Sequence, residues 1–228
     1  MSAPSAQTRL GPLTWWVGLT AAVFSALYFV SDLLELIQGG FSLPQLALTY
    51  LAEAAIPVFV LGLYAVQRPH IGTLGLLGAV GYAYTYVFFT GTVLLAIVNR
   101  PANWDALAGD LGPWITLHGL LMVVAGSAFG VAVFRAGVLP RWTGVTLVAG
   151  VILVAVSSVL PSMAQTLSAG VRDLAFVGMG FSLLSVRARS GPRTQQDPLA
   201  PCRPGGDSLS TSNTLNPATE REPDHVHA

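Results

Sequence analysis

Six long apolar runs constrain this sequence more than any other feature. They fall at about 14–38, 44–66, 71–98, 114–134, 141–160 and 167–187, each bounded by Gly, Pro or charged residues. A helix needs about 20 mainly apolar residues to cross a bilayer, and it satisfies its backbone hydrogen bonds internally, as hydrocarbon requires. The runs therefore predict an all-α fold, a bundle of six transmembrane helices over residues 14–187.

The regions outside the runs complete the predicted domain organisation. Only 10% of the residues are charged, against about 25% in soluble domains, so most of the chain is suited to lipid. The first run is longer than the apolar core of a signal peptide, about 7–15 residues, and we expect it to be retained after a cytoplasmic segment, 1–13. Residues 188–228 are polar and rich in Pro, Ser and Thr, which predicts a disordered cytoplasmic tail.

The arginine distribution predicts the orientation. All eleven basic residues are Arg, and with the N-terminus inside only Arg100 and Arg172 fall on the outer side. Cytoplasmic segments are enriched in Arg, so both termini are expected to be cytoplasmic. The absence of Lys beside abundant Ala, Gly and Pro is typical of a GC-rich bacterial genome. Together with the apolar runs, this predicts a location in the bacterial plasma (inner) membrane. Six acids then lie on the outer side and predict an acidic vestibule: Asp32, Glu35, Glu53, Asp105, Asp110 and Asp173.

Polar residues form stripes on the first two predicted helices. Residues three or four apart share a helical face, and this spacing joins Ser25, Tyr28, Asp32 and Glu35, and separately Gln45, Thr49 and Glu53. Both stripes should face the bundle, because a carboxylate in lipid costs about 2.5–3.5 kcal/mol. One interpretation is structural, with Glu35, Arg100, Arg172 and Asp173 in ion pairs. Asp32 is expected within pairing reach of Arg100, Arg172 or His118.

Glu53 is the leading candidate for a functional carboxyl. It lies nine residues after Pro44, about 13 Å along the predicted helix. Pro57 follows four residues later, lacks an N–H and is expected to kink the helix and free the Glu53 carbonyl. Transporters build ion and substrate sites at such interrupted helices. The alternative is an ordinary proline kink beside a hydrogen-bonded Glu.

Three further residues are candidates for binding a ligand or proton. His118 is the one histidine within an apolar run. It is either a packing histidine, which we favour, or part of a metal site or proton relay with Glu53 or Asp32. Tyr82 and Tyr86 share a face, where they line a cavity or form an aromatic packing stripe. Haem b would need a second axial histidine in a span, so we predict no cofactor, and no metal site.

Glycine spacing predicts close helix packing. Gly72, Gly75, Gly78 and Gly81 recur every three residues, and Gly126 and Gly130 form a GxxxG motif. Such faces allow backbones to approach closely, within the chain or between copies in a homo-oligomer. The sequence has no cluster of basic residues that would bind nucleic acid. The expected partners are the lipid bilayer and a small solute or cation.

The segment FRAGVLPRWTGVTLVAGVILV, Phe134–Val154, resembles an element of uncharacterised six-helix bacterial integral membrane proteins. There an Arg-Gly-Leu-Pro-Arg turn joins the fourth and fifth helices. The resemblance covers mainly these two helices and implies six spans with this turn inside. It carries over no activity and no site residue.

Three functional hypotheses follow from these patterns. The first is a small cation- or proton-linked transporter that uses the acidic outer vestibule. The second is a non-catalytic membrane component that binds a partner protein or lipid, with the acids as structural pairs. The third, ranked last, is a membrane enzyme built around His118. A polar cavity reaching mid-membrane would favour the first, and a closed bundle the second.

Overall fold

The computed structural model describes residues 10–189, which fold into seven helices without a strand. The helices are α1 (Leu10–Gln38), α2 (Leu43–Val66), α3 (Gly72–Asn99), α4 (Trp104–Leu111), α5 (Pro113–Ala136), α6 (Arg141–Ser157) and α7 (Ser162–Arg189). The all-α prediction is confirmed for this part of the chain. The predicted tail from 190 onward, and residues 1–9 of the predicted N-terminal segment, lie outside the described residues.

The six longer helices form a closed ring in chain order. Each packs against its neighbours in the sequence α1, α2, α3, α5, α6 and α7, and α7 packs back against α1. Short connections join most of these neighbours, which makes consecutive helices antiparallel. The connections 39–42, 100–112 and 158–161 therefore meet at one end of the ring. We call the half of the bundle near them the open half and the other the closed half.

The predicted number of membrane-spanning helices, six, is not confirmed. Five helices are long and apolar enough to cross a membrane, namely α1, α2, α3, α5 and α7. The fifth predicted span, 141–160, contains α6, which has only 17 residues. That is about 25 Å of helix, against a hydrocarbon core of about 30 Å. The helix ends before Leu160, whose conformation is restricted by Pro161.

Two further boundaries were not predicted. The short helix α4 begins where the Asn103 side chain accepts a hydrogen bond from the backbone N–H of Ala106 (3.0 Å), a stabilising N-cap. Leu107 anchors this helix in a small apolar cluster with Leu46 and Val93. Helix α7 begins at Ser162, five residues before the predicted span, and continues through Arg189. Polar residues near its start lower the local hydropathy, so the apolar pattern did not predict this extension.

The closed half is packed through glycines and aromatic rings. A Cβ on Gly78 would lie 2.5 Å from the Phe129 backbone nitrogen, and one on Gly180 would lie 2.5 Å from the Gly18 carbonyl oxygen. The buried rings of Phe59 and Phe176 lie 5.3 Å apart in an edge-on arrangement. Small residues thus bring the backbones together, in the manner typical of membrane helices.

The predicted glycine faces are used mainly within the chain. Gly78 meets α5, while Gly126 and Gly130 meet α6, where a Cβ on Gly130 would lie 2.8 Å from the Gly144 carbonyl oxygen. These faces therefore close the ring between neighbouring helices of one chain. The homo-oligomer stays a prediction.

A polar cavity in the open half as candidate functional site

A cavity of about 940 Å³ fills the open half of the ring. Residues from all six ring helices line it, and Trp104 and Asp105 of α4 contribute near the mouth. Glu53, Tyr86 and Arg172 are among the lining residues. Glu53 and Arg172 each lie ten residues inside their helices, about 15 Å from the helix ends. The cavity thus extends to mid-bundle, above the apolar core of the closed half.

The wall between α1 and α2 is a seam of hydrogen bonds. The Tyr28 hydroxyl donates to Glu53 Oε1 at 2.7 Å, and the Ser31 and Thr49 hydroxyls lie 2.6 Å apart. Nearer the mouth, Gln45 Nε2 donates to Glu35 Oε2 at 3.3 Å. The two predicted stripes do face each other. Their chemistry orients Glu53 towards α1 rather than towards lipid.

Ser31 was missed by the sequence reading. It also donates to the Gln45 carbonyl oxygen at 3.0 Å and is fully buried. Ser31 lies three residues after Tyr28 and four before Glu35, so the helical spacing contains the signal. The face of α1 that meets α2 is therefore Tyr28, Ser31 and Glu35, and Asp32 lies beside it, lining the cavity.

Arg172 is the central cation of the cavity. Its Nε donates to Asp173 Oδ1 at 3.0 Å, and Nη2 lies 3.0 Å from the same oxygen outside hydrogen-bond geometry. The guanidinium carbon lies 4.7 Å from the Tyr28 ring centre and 5.9 Å from that of Tyr86. Both ring faces attract a cation electrostatically. Arg172 is thereby held between α1 and α3 although it belongs to α7.

Gly150 allows this placement of α7. A Cβ at Gly150 would lie 2.6 Å from the Arg172 backbone nitrogen and from its Cα. Real side chains do not tolerate such distances, so any larger residue would displace α7 at this point. The glycine sets the position of the arginine in the cavity.

The predicted ion pairs are partly wrong. Among residues 12–185, whose side chains the structure describes, the single ion pair within 4.0 Å joins Arg172 to Asp173. Glu35 instead accepts a hydrogen bond from Gln45. Arg100 ends α3 in a left-handed conformation (φ 52°) and is exposed. The chain leaves the bundle at that residue, which explains why Arg100 reaches no carboxylate.

Asp32 lies near Arg172 but outside ion-pair distance. Both residues line the cavity, and the Asp32 carboxylate interacts electrostatically with Arg172, Asp173, Glu35 and Glu53. Of the three predicted partners, Arg172 is thus the relevant one. Because Arg172 is engaged by its neighbour Asp173, the pair leaves Asp32 and Glu53 without a described cation of their own within ion-pair distance.

Tyr82 and Tyr86 occupy different positions despite sharing a face. Tyr86 lines the cavity, whereas Tyr82 is completely buried beneath it, with ring centres 5.0 Å apart. The two hydroxyls interact with each other, yet neither makes a hydrogen bond of good geometry with any described residue. Both alternatives of the prediction are therefore realised, a cavity wall at Tyr86 and aromatic packing at Tyr82.

His118 lies apart from the carboxylates. Its ring stacks on Phe88 with centres 3.6 Å apart and 6° between planes. Nδ1 lies 2.9 Å from the Trp114 carbonyl oxygen and Nε2 lies 3.3 Å from the Tyr84 hydroxyl. The residue does not line the cavity of about 940 Å³. These contacts are those of a satisfied packing histidine between α3 and α5, and the structure does not bring it to Glu53 or Asp32.

Pro57 lies inside α2, which remains one continuous helix over Leu43–Val66. A proline has no N–H to donate, so the Glu53 carbonyl loses its usual partner four residues on. The loss of this hydrogen bond therefore follows from the residue type alone. The helix itself is not interrupted at Pro57.

Several polar atoms at the inner end of the cavity are buried without a hydrogen-bond partner among the described residues. They are Glu53 Oε2, Tyr86 OH and Arg172 Nη2 in the lining, with Tyr82 OH and Asp173 Oδ2 behind it. Buried polar atoms are normally paired, and a cluster of exceptions requires an explanation. In the described part of the chain no group of three or more His, Cys, Asp or Glu residues is arranged to hold a metal ion.

Comparison with protein families, curated proteins and solved structures yields no match to this chain. Its class therefore follows from its own fold and site. It is an apolar helical bundle with five helices suited to a membrane and a polar cavity in one half.

Proposed function

We propose that the chain is an integral membrane transporter for a cationic or proton-linked solute. The observation that supports this function best is the cavity, which brings Asp32 and Glu53 together with one already paired arginine at mid-bundle depth. Carboxylates without a counter-charge in a low-dielectric interior bind a proton or a cation. Ionisable residues at membrane depth commonly mark ion or proton pathways.

The proposal includes six membrane crossings. Helix α6 fills one of six equivalent places in the ring, between α5 and α7. A short span is accommodated by local thinning of the bilayer at modest cost. Arg141 and Trp142 at its start suit the interface, where Arg and Trp anchor helices. An even number of crossings places both termini on one side, which the arginine distribution assigns to the cytoplasm of a bacterial cell.

Cys202 offers a direct test of this orientation because it is the one cysteine in the sequence. A membrane-impermeant thiol reagent added outside intact cells should leave Cys202 unlabelled and should label it after permeabilisation. A Cys202→Ser variant is the background control. Strong labelling from outside would reverse the proposed orientation.

Glu53 is proposed to carry the exchangeable proton or bind the cation. Glu53 lines the cavity. Tyr28 donates to one of its carboxyl oxygens, and the other, Oε2, is buried without a described partner. The cavity is confined to the open half, so transport requires a second conformation in which the closed half opens, as in alternating access.

Flux measurements in liposomes test the proposal. Wild-type protein should show pH-dependent flux of protons or of a cation from a broad panel, and Glu53→Gln should abolish it while leaving the fold intact. Asp110→Asn is the matched control, because Asp110 is exposed at the same end of the bundle but does not line the cavity. Wild type without flux, or a Glu53→Gln variant with full flux, would reject transport through Glu53.

The second candidate function is a membrane component that binds lipid or a partner protein. A smaller concavity of about 340 Å³ on the side of α3 and α5 favours it, with Tyr84, Trp114 and Leu117 in its lining. Lack of flux in every liposome experiment would select this function. An enzyme around His118 has weaker support, because both ring nitrogens of His118 already face Trp114 and Tyr84.

A further inference from the structure

We propose that the cavity binds an organic cation with an apolar body, held by Asp32 and Glu53 as counter-ions and by the faces of Tyr28 and Tyr86. This inference names the substrate class of the transport site proposed above and rests on that function. Each step of the argument uses a different property of the cavity.

The first property is unused bonding capacity. Glu53 is 4% exposed and Tyr86 is 1% exposed, yet Glu53 Oε2 and the Tyr86 hydroxyl lack described hydrogen-bond partners and belong to the cavity lining. Leaving buried polar groups unpaired is unfavourable. A cation bound in the cavity would supply a counter-charge to the Glu53 carboxylate.

The second property is charge. The lining contains four carboxylates and one arginine, namely Asp32, Glu35, Glu53, Asp105 and Arg172. Arg172 forms a neutral pair with Asp173, which leaves the lining acids uncompensated. An anion would face these acids with only an engaged guanidinium to attract it, so the cavity selects positive charge.

The third property is the aromatic wall. The guanidinium of Arg172 lies against the faces of Tyr28 and Tyr86, which shows that these rings stabilise a cation in this environment. A ligand ammonium can use the same ring faces while its charge approaches Glu53, which the Tyr28 hydroxyl already orients. Arg172 then keeps its pair with Asp173.

The fourth property is size and apolar lining. A cavity of about 940 Å³ is at the upper end of the range for sites of drug-sized ligands, about 300–1,000 Å³. Much of its wall is apolar, including Phe89, Val93 and Met122. A metal cation such as Ca²⁺ would need about six to eight oxygen ligands, and the described residues contain no cluster of that kind. An apolar body carrying one positive charge fits both the volume and the wall.

Binding of tetraphenylphosphonium to the purified full chain in detergent tests the inference. Equilibrium dialysis should show saturable binding, and tetraphenylborate, which has the same shape and the opposite charge, should neither bind comparably nor compete. Glu53→Gln and Asp32→Asn should each weaken binding at least tenfold, while Asp110→Asn should leave it unchanged. Size-exclusion profiles verify folding, and Asp32→Asn keeps the test valid if Glu53→Gln misfolds.

Three results would overturn the inference: no saturable binding by wild type, equal binding of tetraphenylborate, or wild-type affinity in both cavity variants. The flux assay separates this inference from the proposed function. Tetraphenylphosphonium binding without any flux supports the ligand class and rejects transport. Proton or inorganic cation flux without tetraphenylphosphonium binding supports transport and rejects the ligand class.

Discussion

The open and closed halves of the bundle are built from the same six ring helices but are held together differently. In the closed half, backbones approach at glycines such as Gly18 and Gly180, and aromatic rings fill the centre. In the open half, side chains of different helices are joined by hydrogen bonds such as Tyr28 to Glu53 and Ser31 to Thr49. The difference shows that tight packing in the closed half can hold the ring together while the open half contains polar groups without partners.

Removal of the central cation should give the largest effect. Arg172→Met leaves the Asp173 carboxylate buried without its partner, and breaking a buried pair in this way costs about 3–5 kcal/mol. The double variant Arg172→Met/Asp173→Asn should recover most of that loss, because both charges are then gone. Thermal unfolding in detergent measures both. A single variant as stable as wild type would show that the pair does not hold the open half together.

A bulky residue in the closed half should have the next largest effect. Gly78→Leu forces a side chain against the Phe129 backbone, and such overpacking costs about 1–3 kcal/mol. Gly91→Leu is the matched control in the same helix, since a Cβ there meets no described atom within 4 Å. The melting temperature should fall for Gly78→Leu only. Equal melting temperatures for the two variants would contradict the proposed packing of the closed half.

Loss of one hydrogen bond in the open half should have a smaller effect. Tyr28→Phe keeps the ring that faces Arg172 but removes the donor to Glu53 Oε1. The expected cost is about 1 kcal/mol of unfolding free energy, with weaker tetraphenylphosphonium binding because Glu53 loses its orientation. Denaturant unfolding and dialysis provide the two readouts. Unchanged values in both would remove Tyr28 from the site.

The smallest effect is expected near the mouth. Glu35 is half-buried and joined to Gln45 by a long hydrogen bond of 3.3 Å, so Glu35→Gln should change stability by no more than about 0.5 kcal/mol. Cation affinity should fall less than in Glu53→Gln, since Glu35 lies closer to water. If Glu35→Gln lowered cation affinity as much as Glu53→Gln, the binding site would have to be placed nearer the mouth of the cavity.

Local sequence patterns predicted some features of the open half and missed others. The facing stripes of Tyr28 and Glu53 follow from helical spacing, because periodicity fixes which residues share a face. The same spacing places Ser31 on this face, but it was not predicted because the stripes were chosen for their charged residues. The ion pair expected for Arg100 is missing because the chain leaves α3 at that residue, and Glu35 instead accepts a hydrogen bond from Gln45. A hydropathy reading missed α4, whose start is set by the cap at Asn103.

The sequence by itself determined that the chain forms apolar helices and which polar residues share a helical face. Both properties are local, since hydropathy and helical period depend on neighbouring residues alone. Only the tertiary structure decided that His118 lies apart from the carboxylates and that Arg172 reaches Tyr28. The latter requires ring closure, where Gly18 and Gly180 allow α1 and α7 to meet. Close packing between distant segments depends on how the surfaces of two helices fit together. The helical period of one segment contains no information about that fit.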